Sequence, residues 1–238
     1  MPNWCDNKLT ITGPKEEIER FIKESTGLPP EYYRDDSHLT EKEKEVFETE
    51  KEVEPEELNF HSLVPISDET LKFGFSHKYE KDADGNFKPK PEDPECGYDA
   101  QCRLWGTKWG ACEVQMTTPD SCTNWCPATE YETDTWVSYS FDTAWSPPEP
   151  WVRAVSPMFP FCIFNLTFKE EGMGYRGQLM LKKGEELIEE TSNTTFQDYV
   201  SDEGEDYAWD CYDLHGKLEE INGGNEAFHK SKKEVTND

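Results

Sequence analysis

The residues of this chain best suited to chemistry lie in two short runs, LWGTKWG at 104–110 and FDTAW at 141–145. Trp105 and Trp109 bracket Lys108, while Asp142 and Trp145 end a strand-like segment just ahead of Ser-Pro-Pro. Binding sites are mostly apolar with a few placed polar groups, so these rings could wall a small-molecule pocket with Lys108 and Asp142 as its polar handles. The competing reading is architectural. Glycines in the first run permit a tight helix-to-strand connection, and the tryptophans then cap the open end of a core.

Eight cysteines, at 5, 96, 102, 112, 122, 126, 162 and 211, offer a second kind of chemistry. Cys96-x5-Cys102, Cys112 and Cys122-x3-Cys126 hold enough thiols for a tetrahedral zinc site, yet none has the two-residue spacing of zinc knuckles. Free, partly buried thiols are the expectation, with no metal and no cofactor. The 51 acidic residues guarantee accidental carboxylate pairs, and His38, His61, His77, His215 and His229 fall in no metalloenzyme spacing. GMGYRG at 172–177 lies between two strand-like runs rather than opening a helix, so it reads as a hairpin and not a phosphate loop. DADGN at 82–86 lacks the glycine and the closing glutamate of a calcium loop and is better explained as a turn. No catalytic constellation emerges, and a protein without enzymatic activity is expected.

Charge sets the choice of partner. Lys and Arg total 24 against 51 Asp and Glu, a formal net charge of -27. A field of that sign repels phosphate backbones and anionic headgroups, so direct binding to nucleic acid or membrane is not expected. No apolar run approaches the roughly 20 residues needed to span a bilayer, and MPNWCDNKLTITG does not resemble a secretion leader, which makes a cytoplasmic location the expectation. An acidic surface is suited to a basic protein partner. Glu41, Glu43, Glu56 and Glu57, in the Glu/Lys-rich stretch, are the candidate partner-binding residues.

The elements that must position these groups follow from periodicity. Leu9 and Ile11 alternate with polar neighbours as in a half-buried strand, and Pro14, Glu16 and Glu17 then open a helix with Ile18, Phe21 and Ile22 on one face, closed by Gly27. Residues 28–58 shift toward Glu and Lys and predict an exposed acidic helix. LNFHSLVPIS at 58–67 predicts a strand, and Asp99 through Trp105 a short helix stopped by Gly106. CEVQMTT and TWVSYSFDTAW predict two strands, Ser146-Pro147-Pro148-Glu149 caps a helix carrying Trp151, Val152, Val155 and Met158, and FCIFNLTF predicts the next strand. YRGQLMLKK and ELIEETS add an antiparallel hairpin.

This order, β-α-(insert)-β-β-α-β plus a hairpin, is the split βαβ arrangement of an α+β ferredoxin-like domain, with helices on one face of an antiparallel sheet. The expected boundaries are a single domain over 1–200, with a long insert at 27–110, and an acidic, partly disordered extension at 201–238.

Four runs, MPNWCDNKLTITG at 1–13, FHSLVPIS at 60–67, LWGTKWGA at 104–111 and FDTAWSPPEPW at 141–151, together with the pair Phe159-Pro160, resemble the YubB ferredoxin-like domain family of plasmid- and phage-encoded proteins. The resemblance implies a ferredoxin-like fold and a mobile-element origin, and it transfers no catalytic residue. The expected function is thus that of a phage- or plasmid-encoded acidic protein that binds and modulates a host protein, such as a defence or nucleic-acid-handling factor. The alternative is an enzyme or sensor with the tryptophan-lined pocket.

Overall fold

The computed structural model describes residues 3–33, 54–82, 86–90, 92–121 and 134–193. In chain order its elements are β1 (Trp4–Gly13), α1 (Lys15–Ser25), α2 (Phe60–Leu63), α3 (Asp68–Phe73), β2 (Tyr79–Lys81), β3 (Phe87–Pro89), α4 (Gly97–Trp105), β4 (Cys112–Thr117), β5 (Thr135–Ala144), α5 (Glu149–Val155), a 3-10 turn (Ser156–Met158), β6 (Ile163–Glu170), β7 (Tyr175–Lys182) and β8 (Glu185–Asn193). Strand β1 lies at the centre because its alternate residues Cys5, Leu9 and Ile11 are wholly buried on one face. It pairs antiparallel with β5 on one side and β6 on the other, setting Leu9 opposite both Tyr139 and Leu166. The sheet order is β4-β5-β1-β6-β7-β8, whose first four strands with α1 and α5 make the ferredoxin-like arrangement expected from sequence.

Aromatic packing joins helices to sheet. Phe21 of α1 meets Tyr139, Phe159 and Phe164 edge-on, with centroids 6.1, 5.3 and 5.7 Å away. Residues of the insert complete the core at the other end, where Phe60 stacks on Trp151 at 4.6 Å and meets Trp105 and Phe141 edge-on. The second face of the sheet is partly covered: Thr10, Thr12, Trp136, Ser138 and Met180 are buried there, while Trp4, Lys8 and Ser140 are exposed.

Within the run 58–67, Phe60–Leu63 forms a short helical turn (α2) rather than the expected strand, and α3 begins just after the run at Asp68. The Asn59 side chain accepts from the Ser62 backbone N–H at 2.9 Å, and Ser67 Oγ accepts from the Thr70 N–H at 3.2 Å, so capping hydroxyl and amide groups nucleate helix at both places. The run's apolar residues Leu58, Phe60, Leu63, Val64 and Ile66 are buried while Ser62, Pro65 and Ser67 are exposed, and their steps of one, two and three fix neither the strand nor the helix period in so short a run.

Helix boundaries also move. Pro14 sits at the N-cap of α1, and its C-cap is Thr26 rather than Gly27. Gly27 instead exchanges two backbone hydrogen bonds with Glu56, at 3.1 and 2.8 Å, clamping the ends of the 28–55 stretch together. Helix α4 starts before Asp99, with Cys96 at its N-cap. Ser146 does not cap α5, because its hydroxyl donates to the Gly106 carbonyl at 2.5 Å. The expected acidic helix falls largely on 34–53 and the extension on 201–238, both outside the described residues. Asp82 and Asn86 bond each other across the expected DADGN turn, which joins β2 to β3. Among the described residues no helix is long and apolar enough to cross a membrane.

Candidate functional site

The five residues singled out in the two tryptophan-containing runs are dispersed by the fold between core and surface. Trp105 ends α4 and is 1% exposed, with its indole N–H donating to the Val64 carbonyl at 2.8 Å. It is a core residue. Gly106 follows at φ +80°, and a Cβ there would stand 2.4 Å from Pro150 Cδ. The first run therefore turns sharply against the proline-rich start of α5, the architectural role that its glycines allowed.

A buried chain of hydrogen bonds ties this corner to the sheet. Asn7 Nδ2 donates to Thr143 Oγ1 at 2.8 Å, Thr143 Oγ1 donates to the Ser146 carbonyl at 2.7 Å, and Ser146 Oγ donates to Gly106 O. Each polar group is satisfied, so the segment leading from Asp142 through Trp145 is held rigidly. Trp145 adopts φ +76°, donates its backbone N–H to Asn3 O and accepts from the Tyr175 hydroxyl at 3.0 Å. Its ring is left 51% exposed.

What the fold does assemble is a carboxylate cluster at the β1 start, rimmed by rings. Asp6 of β1 stands directly opposite Asp142 of β5, and Asp142 in turn pairs with Cys112 of β4. Lys169 on β6 reaches Asp6 at 3.1 Å. Burial, then the hydrogen bond and charge of Asp6, then the charge of Glu113 push the Asp142 carboxyl up to about 6, with Lys169 opposing. Trp4 lies two residues before Asp6 on the same face, 41% exposed, and its ring is 6.0 Å from that of Trp109. Lys108 Nζ lies 4.6 Å above the Trp109 ring and 5.9 Å from Tyr98, a cation–π arrangement within this chain.

Of the ligand-binding candidates, Asp142, Trp109 and Lys108 thus border one patch, Trp145 adjoins it through Asn3, and Trp105 lies in the core. Trp4, Asp6, Glu113 and Lys169 belong to the patch and were not singled out. Trp4, Asp6 and Glu113 fell in quoted runs, and cross-strand register alone reveals their neighbours. Glu56 is half-buried, bonded to Asn59 Nδ2 at 2.6 Å and raised in pKa by that burial; Glu57 is exposed. Glu41 and Glu43 lie outside the described residues.

Nucleophilic chemistry finds no poised thiol among the described cysteines. Burial pushes Cys5 and Cys162 up to about 12, keeping them as thiols near neutrality. Glu170, beside Cys5, is 1% exposed and spends its carboxylate on the backbone N–H groups of Gly172 and Met173, closing the β6–β7 turn.

Residues 123–215 match the family model of the ferredoxin-like domain in Api92-like protein. The match bears out the ferredoxin-like part of the resemblance, but it points to Api92-like proteins rather than to the YubB family. A solved structure, a protein api92 from Yersinia pseudotuberculosis, is similar at 12% identity with a TM-score of 0.44, over 82% of this chain and 99% of that one. That likeness is too weak to carry an argument. No curated protein matches the chain.

Proposed function

We propose that this chain is a non-enzymatic binding protein whose acidic, tryptophan-rimmed patch takes arginine or lysine side chains of a basic protein partner. The observation that carries the reading is the facing pair Asp6 and Asp142 beside the exposed ring of Trp4. Two carboxylates set opposite each other on neighbouring strands repel, and Lys169 stands against them, 3.1 Å from Asp6. A guanidinium placed between them would neutralise the pair and stack on an indole face, gaining roughly 0.5–2 kcal/mol from the ring. The net charge of -27 would steer a basic partner to the surface and disfavour nucleic acid. The setting in this reading is a phage or plasmid protein acting on a host protein in the bacterial cytoplasm, for which the support is the sequence resemblance.

The test is a titration of the full chain with an arginine-rich peptide, followed by tryptophan fluorescence at low and high salt. Binding that weakens with salt and falls about tenfold or more in Asp6→Asn/Asp142→Asn supports the reading. Binding unchanged by those substitutions overturns it.

A further inference from the structure

The second half of the insert brings together three side chains of different ligand chemistry. Backbone bonds from Gly97 N–H to Gly74 O at 3.0 Å and from Tyr98 N–H to Phe75 O at 2.9 Å lay the segment after α3 along the start of α4. Rings fix it there, with Phe75 edge-on to Tyr32 and Tyr98 and His77 edge-on to Tyr79. As a result His77 Nε2 lies 3.0 Å from Asp99 Oδ2. Cys96, the fully buried N-cap of α4, contributes its Sγ to the same group, and the three ligand atoms all lie within 4.8 Å of one another.

We propose that His77, Cys96 and Asp99 form a zinc site with an open fourth position for water. Bonds of about 2.0–2.3 Å to imidazole nitrogen, carboxylate oxygen and thiolate place ligand atoms about 3.3–3.8 Å apart around a tetrahedral ion. His77 and Asp99 at 3.0 Å, with the Cys96 Sγ within 4.8 Å of both, are compatible with that spacing after small side-chain rotations. An ion pair between His77 and Asp99 would explain two of the residues and the N-cap position would place Cys96, whereas a metal gives all three one role. The thiol and imidazole select zinc over calcium or magnesium, which prefer all-oxygen ligands. Binding converts the Cys96 thiol to a zinc thiolate and releases its proton to solvent. Cys102, three residues after Asp99 on α4, is close enough for both Asp99 and Cys96 to raise its thiol pKa after burial does, yet it lies outside the trio. This site differs from the cysteine-only sets considered from sequence, because His77 and Cys96 meet through the fold of the insert rather than through spacing. Its effect would be to pin the segment between α3 and α4.

The experiment is titration of the reduced, metal-free full chain with Co2+ alone. Tetrahedral binding gives visible d–d bands and a near-ultraviolet thiolate-to-cobalt band that Zn2+ abolishes. His77→Ala and Cys96→Ser should each weaken this binding at least about tenfold, since even residues behind the ligands cost 10–100-fold. Asp99→Asn keeps the size of the side chain and should weaken it similarly, which guards against a variant that fails to fold; circular dichroism checks each. Absence of the tetrahedral spectrum would overturn the site. So would bands that survive all three substitutions, or that vanish instead in Cys122→Ser/Cys126→Ser.

Discussion

The indole N–H of Trp105 donates to the backbone carbonyl of Val64 at 2.8 Å, and this bond joins the end of α4 to the short helical turns of the insert. Trp151 does the same for Phe60 O at 3.0 Å. Both rings are buried and each satisfies an insert carbonyl: Trp105 ties two parts of the insertion to each other, and Trp151 fastens it to the helical layer of the ferredoxin-like domain. Trp105, one of the rings offered as a pocket wall, is therefore a structural anchor.

Replacing Trp105 by Phe keeps most of the ring packing but leaves the Val64 carbonyl without its donor and a gap where the indole was. The expected cost is about 1–3 kcal/mol, measured as a lower urea midpoint. Trp145→Phe, at a ring 51% exposed, should change stability by less than about 0.5 kcal/mol.

Gly106→Ala should destabilise by about 1–3 kcal/mol, because the position requires φ +80° and the new methyl would meet Pro150. Gly110→Ala, where nothing lies within 4 Å of the added Cβ, should stay within about 0.5 kcal/mol in the same thermal melts.

Asp142 makes stability depend on acidity with a definite sign. Its carboxyl is raised from 3.8 to about 6 in the fold, so the folded chain holds more protons than the unfolded one between these values. Stability from this group is then present below about pH 4 and is lost as pH rises through about 6. Asp142→Asn should flatten that part of the pH–stability curve and, for a partly solvated group, stabilise by up to about 1 kcal/mol at pH 7. A variant curve that keeps the wild-type slope between pH 4 and 6 would count against the Asp6–Asp142 coupling.

His61 should add the opposite slope. Its Nδ1 accepts from the Ile66 backbone N–H at 3.0 Å, and burial lowers its pKa, so the neutral ring is favoured in the fold. The contribution is present above the ordinary histidine value near 6.5 and is lost as pH falls through the lowered folded pKa. His61→Ala should remove this pH sensitivity while lowering stability near neutrality by about 1 kcal/mol. Denaturant titrations across pH 4.5–7.5 would show both changes.

Charge also gives a plain expectation for nucleic acid. The full chain should show no micromolar binding to random DNA or RNA in a low-salt gel-shift assay, because 24 basic residues cannot offset 51 acidic ones over most of the surface.

The sequence by itself determined the strands and helices of the ferredoxin-like domain. Alternation of Leu9 with Ile11, of Val137 with Tyr139 and Phe141, and of Phe164 with Leu166 announces one buried face, because a strand's side chains repeat every two residues. The acidic character of the chain was equally legible, since charge needs no geometry. The tertiary structure alone decided that LNFHSLVPIS turns as helix at Phe60–Leu63, where Asn59 acts as the cap, because its unevenly spaced apolar residues carry no single period. It alone decided that Trp105 goes inward and Trp4 outward, and that Asp6 faces Asp142 and His77 meets Cys96 and Asp99. These meetings depend on strand register and on how an insertion folds back, and such contacts between distant parts of the chain leave no local period for a sequence to display.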